Sequence, residues 1–197
     1  MPHRAELENQ LRLRGLEVLG PCVKLSENTG LLRGSPILQD FTPEEAELLG
    51  TSMVRVRARP GQLLIAEGES SDWMMMLLSG TVDVRKRKVG TGADETEPGD
   101  AARLAVIKEG AVIGEMSMLD GEPRYASCRA LSDVEAAVLS RAAVSHLIAH
   151  YPTIGAKLLV KLTQLLAQRL RNTSSKLVKA LQKLRPDSVS GPGQETV

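Results

Sequence analysis

The stretch Ile113-Gly114-Glu115-Met116-Ser117-Met118-Leu119-Asp120-Gly121-Glu122-Pro123-Arg124-Tyr125-Ala126-Ser127 constrains the chain more than any other. It begins after one strand-like apolar run and ends in another. Between them lie a glycine, an acid, a short apolar turn and a Gly-Glu-Pro-Arg corner. Gly114 lets a backbone approach closely. Residues 115–119 can form one helical turn whose unpaired amides point at an anion. Arg124 supplies a fork of donors suited to a phosphate. Glu115 can accept hydroxyl protons. The stretch therefore reads as a pocket for a small molecule with one phosphate and at least one hydroxyl.

Its flanks read as short strands. Val54, Val56 and Ala58 alternate with Arg55, Arg57 and Arg59, the mark of a half-buried strand. Pro60-Gly61 turns the chain into a short strand over 62–66. Residues 73–78 are nearly all apolar and predict a strand buried on both faces. Residues 81–89 alternate again, with Val82 and Val84 inward. Residues 104–107, 111–113, 126–130 and 134–139 supply the remaining strands. Strands this short, with glycine turns between them, predict a small antiparallel roll. The run Arg85-Lys86-Arg87-Lys88 reads as a solvated strand end rather than a nucleic-acid patch. Residues 89–102, with four acids and three glycines, predict a long flexible hairpin loop.

Helices bracket the roll. Residues 4–19 predict an amphipathic helix through Leu7, Leu11, Leu16 and Leu19, and residues 21–35 a mixed connector. Together, residues 1–34 read as an added helical arm that packs against the main body or a partner. Residues 36–50 predict a short helical pair, with Thr42, Pro43 and Glu45 in a capping-box arrangement. Residues 140–150 predict a helix that Pro152 breaks. Over 153–184, Leu159, Leu162, Leu166, Leu170, Thr173, Leu177, Leu181 and Leu184 are spaced 3, 4, 4, 3, 4, 4 and 3. That is a coiled-coil seam, and Thr173 is its one polar member. Residues 185–197 are predicted to be a disordered tail.

Composition narrows the function. Among 197 residues, 25 bases against 24 acids leave a net charge of +1, which argues against a protein built to coat nucleic acid or an anionic membrane. No apolar run reaches the roughly 20 residues of a membrane span, and the charged N-terminus lacks a signal-peptide core. Cys22 and Cys128 read as free thiols in a reducing, cytoplasmic setting. His146 and His150 lie one turn apart but have no evident third ligand, so no metal is expected. Nothing pairs a nucleophile with a base, so no enzyme is expected. Trp73 reads as core.

Helical turn, eight-stranded roll, the Gly-Glu…Pro-Arg…Ala insert, a short helix and a long helix together resemble the cyclic nucleotide-binding domains. The resemblance covers residues 35–183 and implies a mainly β fold: an antiparallel, jelly-roll-like β-roll over 35–152 and a dimerisation helix over 153–184. It implies that Glu115, after Gly114, takes the ribose 2′-hydroxyl, and that Arg124 pairs with the cyclic phosphate beside the amide of Met116 and the small Ala126. Leu104 falls where the family places an apolar residue under the purine. Residues 168–177 are similar to the dimer helix of the catabolite activator protein, which puts Thr173 and Ser174 at the base, the serine from the opposite subunit. For Arg124 with Glu115, the competing reading is a buried salt bridge that only ties the turn.

Two departures stand out. Tyr125 follows the arginine where the family carries Ala, Ser or Thr; the phenol could reach the phosphate, stack on the base or narrow the pocket. Too few residues follow Lys183 for a winged helix-turn-helix, so direct DNA reading is not expected. The expectation is thus a cytoplasmic homodimer that binds a cyclic nucleotide, cyclic AMP ahead of cyclic GMP, and signals to a protein partner by moving its last helix, with no membrane and no cofactor. The alternatives are a coiled-coil interaction protein with a vestigial pocket, a receptor for another cyclic mono- or dinucleotide, and a regulator that reads DNA through a partner.

Overall fold

The computed structural model describes residues 2–87 and 101–184, with side chains from residue 4 onward. The predicted tail, Lys88 and most of the predicted hairpin loop lie outside the described residues. Helix α1 spans Pro2–Leu13 and strand β1 spans Glu17–Pro21. The predicted helix over 4–19 therefore ends early. Gly15 takes a φ of 77°, a left-handed turn that stops the helix. The next residues pair antiparallel with the edge of β2, Val54–Ala58, from Glu17↔Arg57 to Pro21↔Val54. Leu7, Leu11 and Leu16 are buried as the pattern asks, but Leu16 lies past the end of the helix, between its closing turn and β1. The arm packs against the main body, one of the two placements its sequence left open: these three leucines join the interior of the roll.

The predicted connector is partly helical. A 3₁₀ turn at Leu25–Glu27 precedes α2, Thr29–Gly34, whose first amides are met by the Asn28 side chain, 2.9 Å from the Leu31 nitrogen. Of the helical pair predicted over 36–50, residues 36–40 form turns instead. The second member is α3, Pro43–Thr51, with the capping box in place: the Thr42 amide donates to Glu45 at 2.8 Å and the Glu45 amide to Thr42 Oγ1 at 3.3 Å.

Strands β3 (Leu63–Ile65), β4 (Trp73–Ser79), β5 (Thr81–Arg87), β6 (Ala101–Lys108) and β7 (Val112–Ile113) follow. Helix α4 (Glu115–Asp120) separates β7 from β8 (Ser127–Ala130) and β9 (Val134–Ser140). Helices α5 (Arg141–His150) and α6 (Pro152–Leu184) close the chain. The described strands form a five-stranded sheet, β1-β2-β9-β4-β7, facing a four-stranded one, β3-β8-β5-β6. The chain is mainly β with flanking helices. The eight predicted strands are present, and β1 adds a ninth.

Strand β4 explains why its sequence lacks alternation. Its two faces meet two cores. Trp73, Met75 and Leu77 point into the roll, while Met74 and Met76 pack under α3, α5 and the start of α6. All five are fully buried, each contributing roughly 1.5–3 kcal/mol of transfer free energy. The basic run on β5 is ion-paired along the sheet surface: Arg85 with Asp83 at 2.7 Å, Lys86 with Glu67 at 2.9 Å and Arg87 with Glu67 at 3.4 Å.

Helix α6 docks by its first half. Ile154, Leu158 and Leu162 are buried. Gly155 lies so close to α5 that a Cβ there would sit 2.8 Å from the Ile148 Cα. Lys157 bonds Glu45 at 2.6 Å and Lys161 pairs with Asp40. Beyond residue 168 the helix runs on with little cover. Leu170, Leu177, Leu181 and Leu184 are 55–77% exposed.

Candidate functional site

The stretch from Gly114 to Ser127 folds as a loop around α4. Gly114 caps α4 with a φ of 76°, and its missing side chain makes room for Arg124: a Cβ there would lie 2.3 Å from Arg124 Nη1. Arg124 is 3% exposed. Its Nε donates to Ser71 Oγ at 2.7 Å, its Nη1 to the Gly114 carbonyl at 2.6 Å and its Nη2 to the Trp73 carbonyl. The guanidinium lies 4.3 Å from the centre of the Trp73 ring. Its main chain is bracketed by two further bonds, Gly68 N to Arg124 O at 2.8 Å and Arg124 N to Glu69 O at 2.9 Å.

Among the described residues, every hydrogen-bond partner of this buried cation is neutral, and no carboxylate pairs with it. Burial, and after it the nearby Arg14, draw the Arg124 pKa down to about 10. The group stays charged at neutral pH. An anion meeting it would form charge-assisted bonds out of water's reach, where they are strongest.

Glu115, 1% exposed at the first position of α4, does not pair with Arg124. The salt bridge that the sequence left open as a competing reading is absent. Instead Arg169, on α6, bonds Glu115 Oε1 through Nη1 and the Val112 carbonyl through Nη2 at 2.5 Å. The long helix thus reaches the same loop as the arginine. The opposite end of α4 is held by Arg141, the first residue of α5, whose Nε and Nη2 take the carbonyls of Met118 at 2.6 Å and Ser117 at 2.9 Å.

The other predicted residues fall into two groups. Met116 and Ala126 lie on the loop, the Met116 side chain 44% exposed at the start of α4. Tyr125 is 57% exposed, and its ring is covered by Lys86 Nζ at 4.5 Å. It therefore does not plug the corner between Gly114 and Arg124. Leu104 is on β6, at the residue skipped where Val84↔Ala105 gives way to Arg85↔Arg103, and is 42% exposed. Thr173 and Ser174 are exposed on α6, one turn past Arg169. No hydrogen bond ties either of them to the loop among the described residues.

Sequence reasoning missed Arg169 and Ser71. Arg169 had a signal: it sits four residues before Thr173, on the same helical face. Ser71 had none, because a serine in a polar turn carries no pattern. Trp73 is core as expected, and its ring also supports the guanidinium. Both thiols are free and buried, and burial pushes Cys22 up to about 11 and Cys128 to about 12. The rings of His146 and His150 stack at 4.1 Å on α5. No helix among the described residues is long and apolar enough to cross a membrane.

Residues 55–151 match the family described as cyclic nucleotide-binding domain. A solved cyclic nucleotide-binding domain from Methylobacillus flagellatus KT is similar over 88% of this chain and 92% of its own, at 34% identity and a TM-score of 0.72. The cyclic AMP receptor protein of Thermus thermophilus is 30% identical over 74% of this chain. The cAMP-dependent protein kinase regulatory subunit of Yarrowia lipolytica is 28% identical over 68% of it. The chain spans 62% and 32% of the lengths of these two relatives. With the roll, the loop around α4 and its buried arginine in place, the chain belongs to the cyclic nucleotide-binding domain family.

Proposed function

We propose that this chain is a non-enzymatic receptor for a cyclic nucleotide, cyclic AMP ahead of cyclic GMP, that works as a homodimer. One observation carries the reading. Arg124 is a fully buried cation whose described partners are all neutral, set beside the first amides of α4. A cyclic phosphate supplies the missing negative charge. Glu115, already oriented by Arg169, keeps a second carboxylate oxygen for the ribose 2′-hydroxyl. The base lies toward α6, with Leu104 beneath it and Thr173 and Ser174 beside it. Cyclic AMP is put first because the similar proteins from Thermus and Yarrowia are a cyclic AMP receptor protein and a regulatory subunit of a cAMP-dependent protein kinase.

The exposed leucines of α6 form the dimer seam, and the same helix carries Arg169. A ligand that bonds the second Glu115 oxygen shares that carboxylate with Arg169 and so biases the position of α6. That is a population shift, and it requires the ligand to prefer one helix position. A protein partner then reads the helix. Free buried thiols fit a reducing, cytoplasmic setting.

Isothermal titration with cyclic AMP and cyclic GMP tests the reading. The wild type is expected to bind cyclic AMP more tightly, and Arg124→Ala to lose about 2–5 kcal/mol of binding. Equal heats from the two proteins would remove the assignment.

A further inference from the structure

Arg124 is not alone on its tryptophan. Arg14, just past the end of α1, lies with its guanidinium carbon 5.3 Å from the centre of the same Trp73 ring. It makes a two-pronged ion pair with Glu69, Nη1 to Oε2 and Nη2 to Oε1. Glu69 is also the residue whose carbonyl accepts the Arg124 amide at 2.9 Å. One indole, two guanidinium groups and one carboxylate are thus packed at one point, and Glu69 is an acid within electrostatic reach of the buried Arg124. Arg14 and Glu69 line an open groove of about 670 Å³ together with Ser71, the partner of Arg124 Nε. The Glu69 side chain is 37% exposed, so it has room to turn.

This juxtaposition poses a question that the phosphate site alone does not. A buried arginine without a carboxylate draws in any mobile acid nearby, and an internal acid on Arg124 would compete with a phosphate. We infer that Arg14 is a positioning residue of the nucleotide site: by holding Glu69 in a two-pronged pair, it keeps that carboxylate off Arg124 and leaves the arginine open to the ligand. The inference rests on the reading of Arg124 as the phosphate-binding arginine. It gives the N-terminal arm a role in affinity. Undocking α1 releases Glu69 onto Arg124 and weakens binding; by linkage, the bound nucleotide favours the docked arm.

The test is a double-mutant cycle read by cyclic AMP titration and by the Nε–Hε NMR signal of Arg124, assigned by its loss in Arg124→Lys. Arg14→Ala is expected to weaken cyclic AMP binding about tenfold and to shift the Arg124 signal in the ligand-free protein. Arg14→Ala with Glu69→Gln is expected to restore both, affinity to within about twofold. A residue that merely stabilises the arm gives no such rescue. Arg14→Lys, which keeps one charged bond to Glu69, is expected to fall between wild type and Arg14→Ala, and serves if the alanine variant does not fold. Wild-type affinity in Arg14→Ala, or a double variant as weak as the single one, would overturn the inference. If the wild type binds neither cyclic AMP nor cyclic GMP, the receptor reading fails. The Arg124 signal then still decides: a shift that Glu69→Gln reverses supports the inference, and an unmoved signal overturns it.

Discussion

The two halves of α6 share one leucine spacing and meet opposite fates. Up to Leu162 the helix is an internal element. Ile154, Leu158 and Leu162 fill the core under α3 and α5, Gly155 lets two backbones touch, and Lys157 and Lys161 tie it to Glu45 and Asp40. From Leu170 onward the same pattern faces outward, with four leucines more than half exposed. Arg169 sits at the border and joins the helix to Glu115. A continuous seam in the sequence therefore meets two environments: Leu159 and Leu162 pack within this chain, and Leu170, Leu177, Leu181 and Leu184 are exposed, the face proposed above as the dimer seam. The loop around α4 meets the helix at the point where the first environment gives way to the second.

That contrast can be broken at either end. Leu162→Ala removes a fully buried side chain and is expected to cost about 2–5 kcal/mol of stability, read by chemical denaturation. A loss under about 1 kcal/mol would mean that the first half is not core. The lysine ties are weaker. Lys157, and then the Thr42 amide, hold the Glu45 carboxyl below its ordinary value of 4.5. A lowered folded pKa gives stability that is present above the unfolded value and is lost as pH falls through the folded one. Glu45→Gln is thus expected to melt about 1–3 °C below wild type at pH 7, a gap that shrinks as pH falls below the ordinary value of 4.5 and through the lowered folded one. A gap constant with pH would point to packing rather than charge. Smallest of all for the folded monomer is Leu177→Asp with Leu181→Asp. It is expected to leave stability per chain within about 0.5 kcal/mol, while sedimentation velocity shifts from dimer to monomer. A dimer that survives would place the subunit contact elsewhere.

Much of this is legible in the sequence alone. The strands, the capping box at Thr42 and the short α4 follow from local chemistry: alternation, a cap and a glycine on each side. The boundary of α1 was not. Leu16 and Leu19 continue a helical spacing, and only pairing with β2, a partner more than thirty residues away, makes the segment extended. Long-range hydrogen bonding overrode a local periodicity, as it did for β1 as a whole. At the site, Arg124 and Glu115 were identifiable as chemical types, but their partners were not. The sequence placed them side by side and left a mutual salt bridge open. The fold instead turns Arg124 inward to two carbonyls and a serine and gives Glu115 to Arg169, residues that come together only when β4 and α6 flank the loop. Tyr125 could be read several ways from its position. Its exposure and the ammonium of Lys86 on its ring remove the reading in which it fills the pocket.

Trp73 is the single tryptophan of the chain, and the Arg124 guanidinium lies against its ring. Its emission is therefore a direct reporter of what happens at the arginine. Titration of the wild type with cyclic AMP is expected to give a saturable change in Trp73 emission, and Arg124→Gln, with its fold checked by circular dichroism, is expected to abolish it. A wild-type signal that stays flat up to millimolar cyclic AMP, or an Arg124→Gln protein that responds as the wild type does, would contradict the assignment of Arg124 to the phosphate.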